Sequence, residues 1–128
     1  MRAQKPATGG RWSHKSIAVL AGLGSFGLHH LIITDAGCAG RLGSLVLDAK
    51  LPRRSPAKME RCPGLVDGSR TACVRLCPVS ALDDFGTLDK PLCWERLKRN
   101  ANEHRIPGLA DGCGKCSVGP CALSVAGR

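Results

Sequence analysis

The sequence predicts a small α+β domain whose C-terminal part is held by cysteine ligands, on three observations. Its 128 residues suit one small domain. The chain supplies two Phe, two Trp and no Tyr against eight Cys and eight Pro, and a core so short of large anchors needs staples, whether disulfides or metal. Short apolar runs between turn residues accompany one capped helical pattern.

Residues 1–11 are polar and read as a disordered basic tail. Residues 12–51 form a Gly-rich, aliphatic α/β segment with only Cys38 among the cysteines. Within it, residues 31–33 and 45–47 read as short strands. Residues 52–61 are a linker-like stretch rich in Pro, Arg and Lys, and the shift near Pro52 is the best internal boundary. Residues 62–125 hold the other seven cysteines. There, Asp89 followed by Pro91 predicts a helix start: a capping carboxylate, then a residue whose fixed φ suits the first turn. The helix should run to about His104 and stop before Pro107 and Gly108, with Leu92, Leu97 and Ala101 as its buried stripe. Residues 108–121 carry four Gly and a Pro and read as loop.

Compartment decides between disulfides and metal. The start is basic and residues 17–28 are apolar, as in an export signal. Gly22, Gly24, Ser25 and Gly27 interrupt that run, His29 and His30 follow it, and Asp35 stands where a lipoprotein signal wants an aliphatic residue. The run is also too short and too broken for a membrane span. The expectation is therefore a cytoplasmic protein with no membrane partner, in which clustered cysteines are metal ligands or redox groups.

The formal net charge is +9, with local groups at Lys50, Arg53, Arg54 and Lys58 and at Arg96, Lys98 and Arg99. Such charge attracts acidic partners at long range, and an acidic redox protein is the partner expected. RNA is the weaker reading, because base stacking needs an aromatic platform that this chain lacks.

The informative pattern runs from Cys62 to Cys73, then Cys77-Pro78, Cys93, Cys113-Gly-Lys-Cys116 and Cys121. An iron–sulfur cube takes four thiolates around one compact object, and a Cys–Pro after a three-residue spacer commonly ligates the other cluster of a pair. The bacterial pattern places a cysteine just upstream of Cys73, where this chain has Arg70. Zinc usually takes two knuckle-like pairs, and only one C-x2-C pair is present; a zinc-stabilised interaction module remains the alternative. Cys38 alone reads equally as a small buried hydrophobe or as a ligand.

Other motifs are weaker. Gly22-x-Gly24-x-x-Gly27 matches a dinucleotide fingerprint, but the next apolar run begins at Leu31, too soon for the crossover helix that motif requires. Backbone crowding is the simpler use of those glycines. His14, His29, His30 and His104 read as surface or hydrogen-bonded side chains. Trp12 and Trp94 read as core or cluster-shielding residues, and no nucleophile–base triad is evident.

Several stretches taken together, Trp12-Ser-His-Lys, Ala21-Gly-Leu-Gly-Ser-Phe-Gly, Leu31-Ile-Ile-Thr, Gly37-Cys-Ala-Gly-Arg, Leu45-Val-Leu-Asp, Cys62 through Pro78 and Cys113-Gly-Lys-Cys116, resemble the iron–sulfur half of the epoxyqueuosine reductase and reductive dehalogenase superfamily. The resemblance covers about residues 12–125 and rests on the order and spacing of the motifs. It implies two [4Fe–4S] clusters that pass electrons to a corrinoid in the catalytic members. By position, one cluster would take Cys77, Cys93, Cys113 and Cys116. The other would take Cys62, Cys73 and Cys121, with Arg70 where its fourth cysteine is expected and Cys38 the candidate to replace it. Catalytic relatives carry a further N-terminal region, so the chain resembles a truncated or split member: not catalytic alone, and using a corrinoid only with a partner. The expectation is thus a small α+β iron–sulfur domain with a dicluster ferredoxin-like C-terminal part, binding one or two [4Fe–4S] clusters for single-electron transfer. If it is enzymatic, it is an epoxyqueuosine-reductase-like oxidoreductase.

Overall fold

The computed structural model describes residues 12–52, 60–69, 71–105 and 112–123. The expected tail at 1–11, most of the linker, Arg70, Pro107 and Gly108 lie outside the described residues. Within them the chain is a mixture of short helices and a two-stranded sheet, in agreement with the α+β expectation.

Helix α1, His14–Leu20, begins where Ser13 can cap it: the Ser13 Oγ accepts the Ser16 N–H at 3.3 Å. It buries Ala18 and ends in a turn whose Gly22 has φ +73°. Strands β1, Gly24–Phe26, and β2, Ile32–Thr34, pair antiparallel with Ser25 opposite Ile33. The strand expected at 31–33 is thus present one residue later. A side chain at Gly24 would overlap the Ile33 carbonyl, so this glycine serves close backbone approach.

The hairpin loop between β1 and β2 turns inward. Its Leu28 and His29 are buried, while His30 takes the left-handed φ of +58° and closes the turn by donating its N–H to the Gly27 carbonyl at 2.9 Å. The hairpin is tied to the cysteine region by Arg61, whose N–H donates to Ser25 Oγ at 2.8 Å and whose guanidinium pairs with Asp35.

Two one-turn helices follow, α2 at Pro63–Val66 and α3 at Ala72–Arg75. Then comes a tight turn in which Asp83 Oδ1 accepts the Phe85 and Thr87 N–H groups and Leu82 bridges Leu88. Helix α4, Lys90–Glu103, starts as the sequence predicts: Asp89 caps it through the Leu92 N–H at 2.9 Å, with Pro91 in the first turn. Its expected stripe is only partly covered, since α4 buries no residue fully and Leu92 is 38 % exposed. A 3-10 turn at Lys115–Ser117 packs against α3.

The second expected strand, at 45–47, is not formed. Residues 41–47 carry no regular structure, and Leu45 and Val46 are 87 % and 97 % exposed. A strand is completed by a neighbour that takes its backbone hydrogen bonds, and among the described residues the only sheet is β1–β2.

The core joins the two regions. Leu28, Ile33 and Cys38 pack with Cys62, Cys73 and Leu82, so half of this central cluster of described residues is thiol. Buried thiols act as small hydrophobes, which explains how the chain closes a core with so few aromatics.

Candidate metal centre

Two groups of cysteines emerge from this frame. Cys77 follows α3 in a turn where its Sγ accepts the Ala81 N–H at 3.2 Å. Cys93 lies in the first turn of α4. Cys113 and Cys116 flank Gly114, whose φ of +70° is the left-handed turn that brings both toward the same place. All four line one cavity of about 680 Å³, and Cys38 reaches its wall as well.

The electrostatics reflect that proximity. Burial pushes the Cys116 thiol up to about 11, reinforced by Cys113 and Cys93. Burial likewise raises Cys93, with Cys113 and Cys77 adding to the shift. Raised in this way, the Cys93 and Cys116 thiols hold their protons near pH 7, so a metal binding there would displace them. Arg96 stands one turn beyond Cys93 and lines the same cavity; its Nε is buried with no hydrogen-bond partner among the described residues. An unpartnered buried N–H beside four soft sulfur donors fits a sulfide-rich, anionic group.

The second group is tighter. Cys62 caps α2, and its Sγ accepts the Leu28 N–H at 3.5 Å. Cys73 sits in α3, and together with Cys121 and His29 these residues line a cavity of about 10 Å³, room for roughly one water. Burial raises the Cys73 thiol, and Cys62 and Cys121 add to it. Admitting a cube here requires these side chains to part.

Cys38 belongs beside this group. Its N–H donates to the Cys121 carbonyl at 2.9 Å and the Ala39 N–H to the Ala122 carbonyl at 3.0 Å. The clamp depends on Gly37, with φ +96° and no room for a Cβ against Ala122. It leaves Cys38 Sγ 3.7 Å from Cys121 Sγ, and burial, then the Cys121 thiol, push Cys38 up to about 12.

His29 is the member that sequence reasoning did not assign. Its Nε2 is 3.4 Å from Cys121 Sγ, and the ligating atoms of His29, Cys38 and Cys121 lie within 4.8 Å of one another. Burial lowers its pKa to about 4, with His30 and Lys15 adding to the effect. His30, by contrast, donates Nε2–H to the Gly86 carbonyl at 2.8 Å. The one sequence signal for His29 was its place in an apolar frame between Leu28 and Leu31; the 92-residue separation from Cys121 hid the rest.

Comparison with known proteins adds the decisive observation. Over 84 residues the chain is 38% identical to the epoxyqueuosine reductase of Yersinia pestis, a match covering 65% of this chain and 19% of that protein. It is 35% identical to the epoxyqueuosine reductase of Aliivibrio fischeri and 36% to that of Escherichia coli, each over 65% of this chain and 21% of the relative. Over this stretch the chain is similar to a part of the epoxyqueuosine reductases. The matched stretch spans about a fifth of the length of these epoxyqueuosine reductases. No family model and no solved structure matches the chain. Among the described residues, no helix is long and apolar enough to cross a membrane.

Proposed function

We propose that this chain is an iron–sulfur electron-transfer module with a dicluster, ferredoxin-like C-terminal part, the electron-input part of an epoxyqueuosine-reductase-like system. One [4Fe–4S] cluster is held by Cys77, Cys93, Cys113 and Cys116. A second is held by Cys62, Cys73 and Cys121, with Cys38 as the fourth thiolate. The observation that carries the reading is the convergence of the first four cysteines on one cavity beside the unpartnered Arg96 Nε. The kinship with epoxyqueuosine reductases supports it.

The clusters supply a one-electron store. The chain holds them, limits water and aims N–H groups and cationic side chains at sulfur, all of which set the potential. The +9 charge of the chain would favour encounter with a one-electron carrier of acidic surface. A corrinoid belongs to this scheme only as the property of a partner, which would make the pair a reductase.

The test is anaerobic expression followed by assay of iron, acid-labile sulfide and zinc, with the EPR spectrum of the reduced protein. About eight irons with matching sulfide support two clusters, and about four support the Cys77 set alone. The second reading is a zinc-stabilised interaction module, favoured by the close approach of His29, Cys38 and Cys121. Zinc without sulfide would establish it and remove the electron-transfer reading.

A further inference from the structure

The hairpin loop between β1 and β2 touches the second cysteine group at two sulfurs. The Leu28 N–H donates to Cys62 Sγ at 3.5 Å, and the next residue, His29, places Nε2 at 3.4 Å from Cys121 Sγ. His29 is 4 % exposed and lines the same small cavity as Cys62, Cys73 and Cys121. Two roles fit such a histidine: a metal ligand through Nε2, or a donor of Nε2–H to a ligand's sulfur.

The other ring nitrogen decides between them. The Leu31 backbone N–H points at His29 Nδ1 at 3.1 Å. A backbone N–H can only donate, so Nδ1 is the acceptor and carries no proton. The hydrogen bond made by one imidazole nitrogen fixes what the other must be, and here it leaves the ring proton on Nε2. A protonated nitrogen has no lone pair for a metal, whereas it is a good donor to a thiolate. Ligation through Nε2 would need the proton on Nδ1, facing the Leu31 N–H, two donors against each other in a buried site.

We propose that His29 is a positioning residue of the second cluster site: its Nε2–H hydrogen-bonds Cys121 Sγ, its tautomer is locked by the Leu31 N–H, and it is not a ligand. The proposal rests on the assignment of Cys121 to a cluster in the reading above. It leaves Cys38 as the thiolate that completes the set. A hydrogen bond to a ligating sulfur stabilises the extra negative charge of the reduced cluster, so His29 raises that cluster's potential. The Leu28 N–H to Cys62 acts in the same direction from the same loop, which makes the β1–β2 turn a cradle of donors.

The experiment compares the wild-type chain with His29→Leu and His29→Gln, all purified without oxygen. Iron and sulfide content and the midpoint of each cluster are measured, together with pulsed EPR of reduced wild type labelled with 15N-histidine. Expected are full iron in all three, a more negative midpoint for one cluster in His29→Leu, recovery of most of that shift in His29→Gln, and weak nitrogen coupling of hydrogen-bond size. Loss of about half the iron in His29→Leu with a strong, directly bonded 15N coupling in wild type would make His29 a ligand and overturn the proposal. An unchanged midpoint in His29→Leu would also overturn it. Should His29→Leu not fold, the 15N coupling in wild type decides alone. If wild type binds only about four irons, on the Cys77 set, the His29 proposal fails while the electron-transfer reading survives. Zinc without sulfide removes both.

Discussion

Cys38 and Cys121 are tied twice over, by a backbone hydrogen bond of 2.9 Å and by sulfurs 3.7 Å apart. Backbone pairing fixes the two Cα positions, so the thiols meet by construction rather than by side-chain flexibility. This gives Cys38, 83 residues away in sequence, the reach to stand in where the chain has Arg70.

Replacing Cys38 therefore separates its two readings. Cys38→Ala should lower iron and sulfide by about half if the thiolate ligates, because one cluster of a pair is lost. A Cys38 that is only a small hydrophobe predicts unchanged iron and a slight loss of stability. Iron analysis and EPR spin quantitation read the outcome. Cys93→Ala should remove the other cluster and leave the Cys62, Cys73 and Cys121 site loaded.

Gly37→Ala should unfold the clamp. Both the positive φ and the overlap with the Ala122 carbonyl oppose a Cβ, at a cost of about 1–3 kcal/mol. Urea denaturation of the anaerobic protein measures it. A neutral effect would mean that the 37–39 and 121–122 segments are not paired in solution.

Arg75 and Lys115 lie close in sequence to Cys73, Cys77 and Cys116. Positive charge near a cluster favours its reduced state. Arg75→Gln with Lys115→Gln should lower the midpoint potential, as read by mediated redox titration followed by EPR. A raised or unchanged potential rules out their influence.

Asp83 makes stability depend on pH at the acid end. The Thr87 N–H holds its carboxyl below the usual carboxylate value, so the folded chain binds this proton less readily than the unfolded one. The contribution is complete above the unfolded pKa and disappears as pH falls through the folded one. Wild type should therefore lose stability below about pH 4, whereas Asp83→Asn should show a flatter acid limb in thermal melts from pH 5 to 2.5. Parallel limbs would show that the Asp83 turn contributes nothing.

Much of the fold was legible where local chemistry decides it. Asp89 and Pro91 announce α4 because a carboxylate and a fixed φ suit a helix start whatever surrounds them. The cysteine spacings brought Cys113 and Cys116 together because Gly114 makes the turn between them. The 45–47 segment misled because its apolar character says what a strand needs and nothing about whether a neighbour exists to pair with it. His29 was invisible as a partner of Cys121 because only the inward turn of the β1–β2 loop brings the two together.

The thiol-rich core has a consequence for survival in air. Cys38, Cys62 and Cys73 pack with Leu28, Ile33 and Leu82. Oxidation adds polar oxygens to sulfur, and here those oxygens would enter the packed centre, where an unpaired polar group is costly. Burial and a raised pKa keep Cys38 and Cys73 protonated and slow to react, so such oxidation should follow an opening of the core, and a molecule oxidised there should fail to close again.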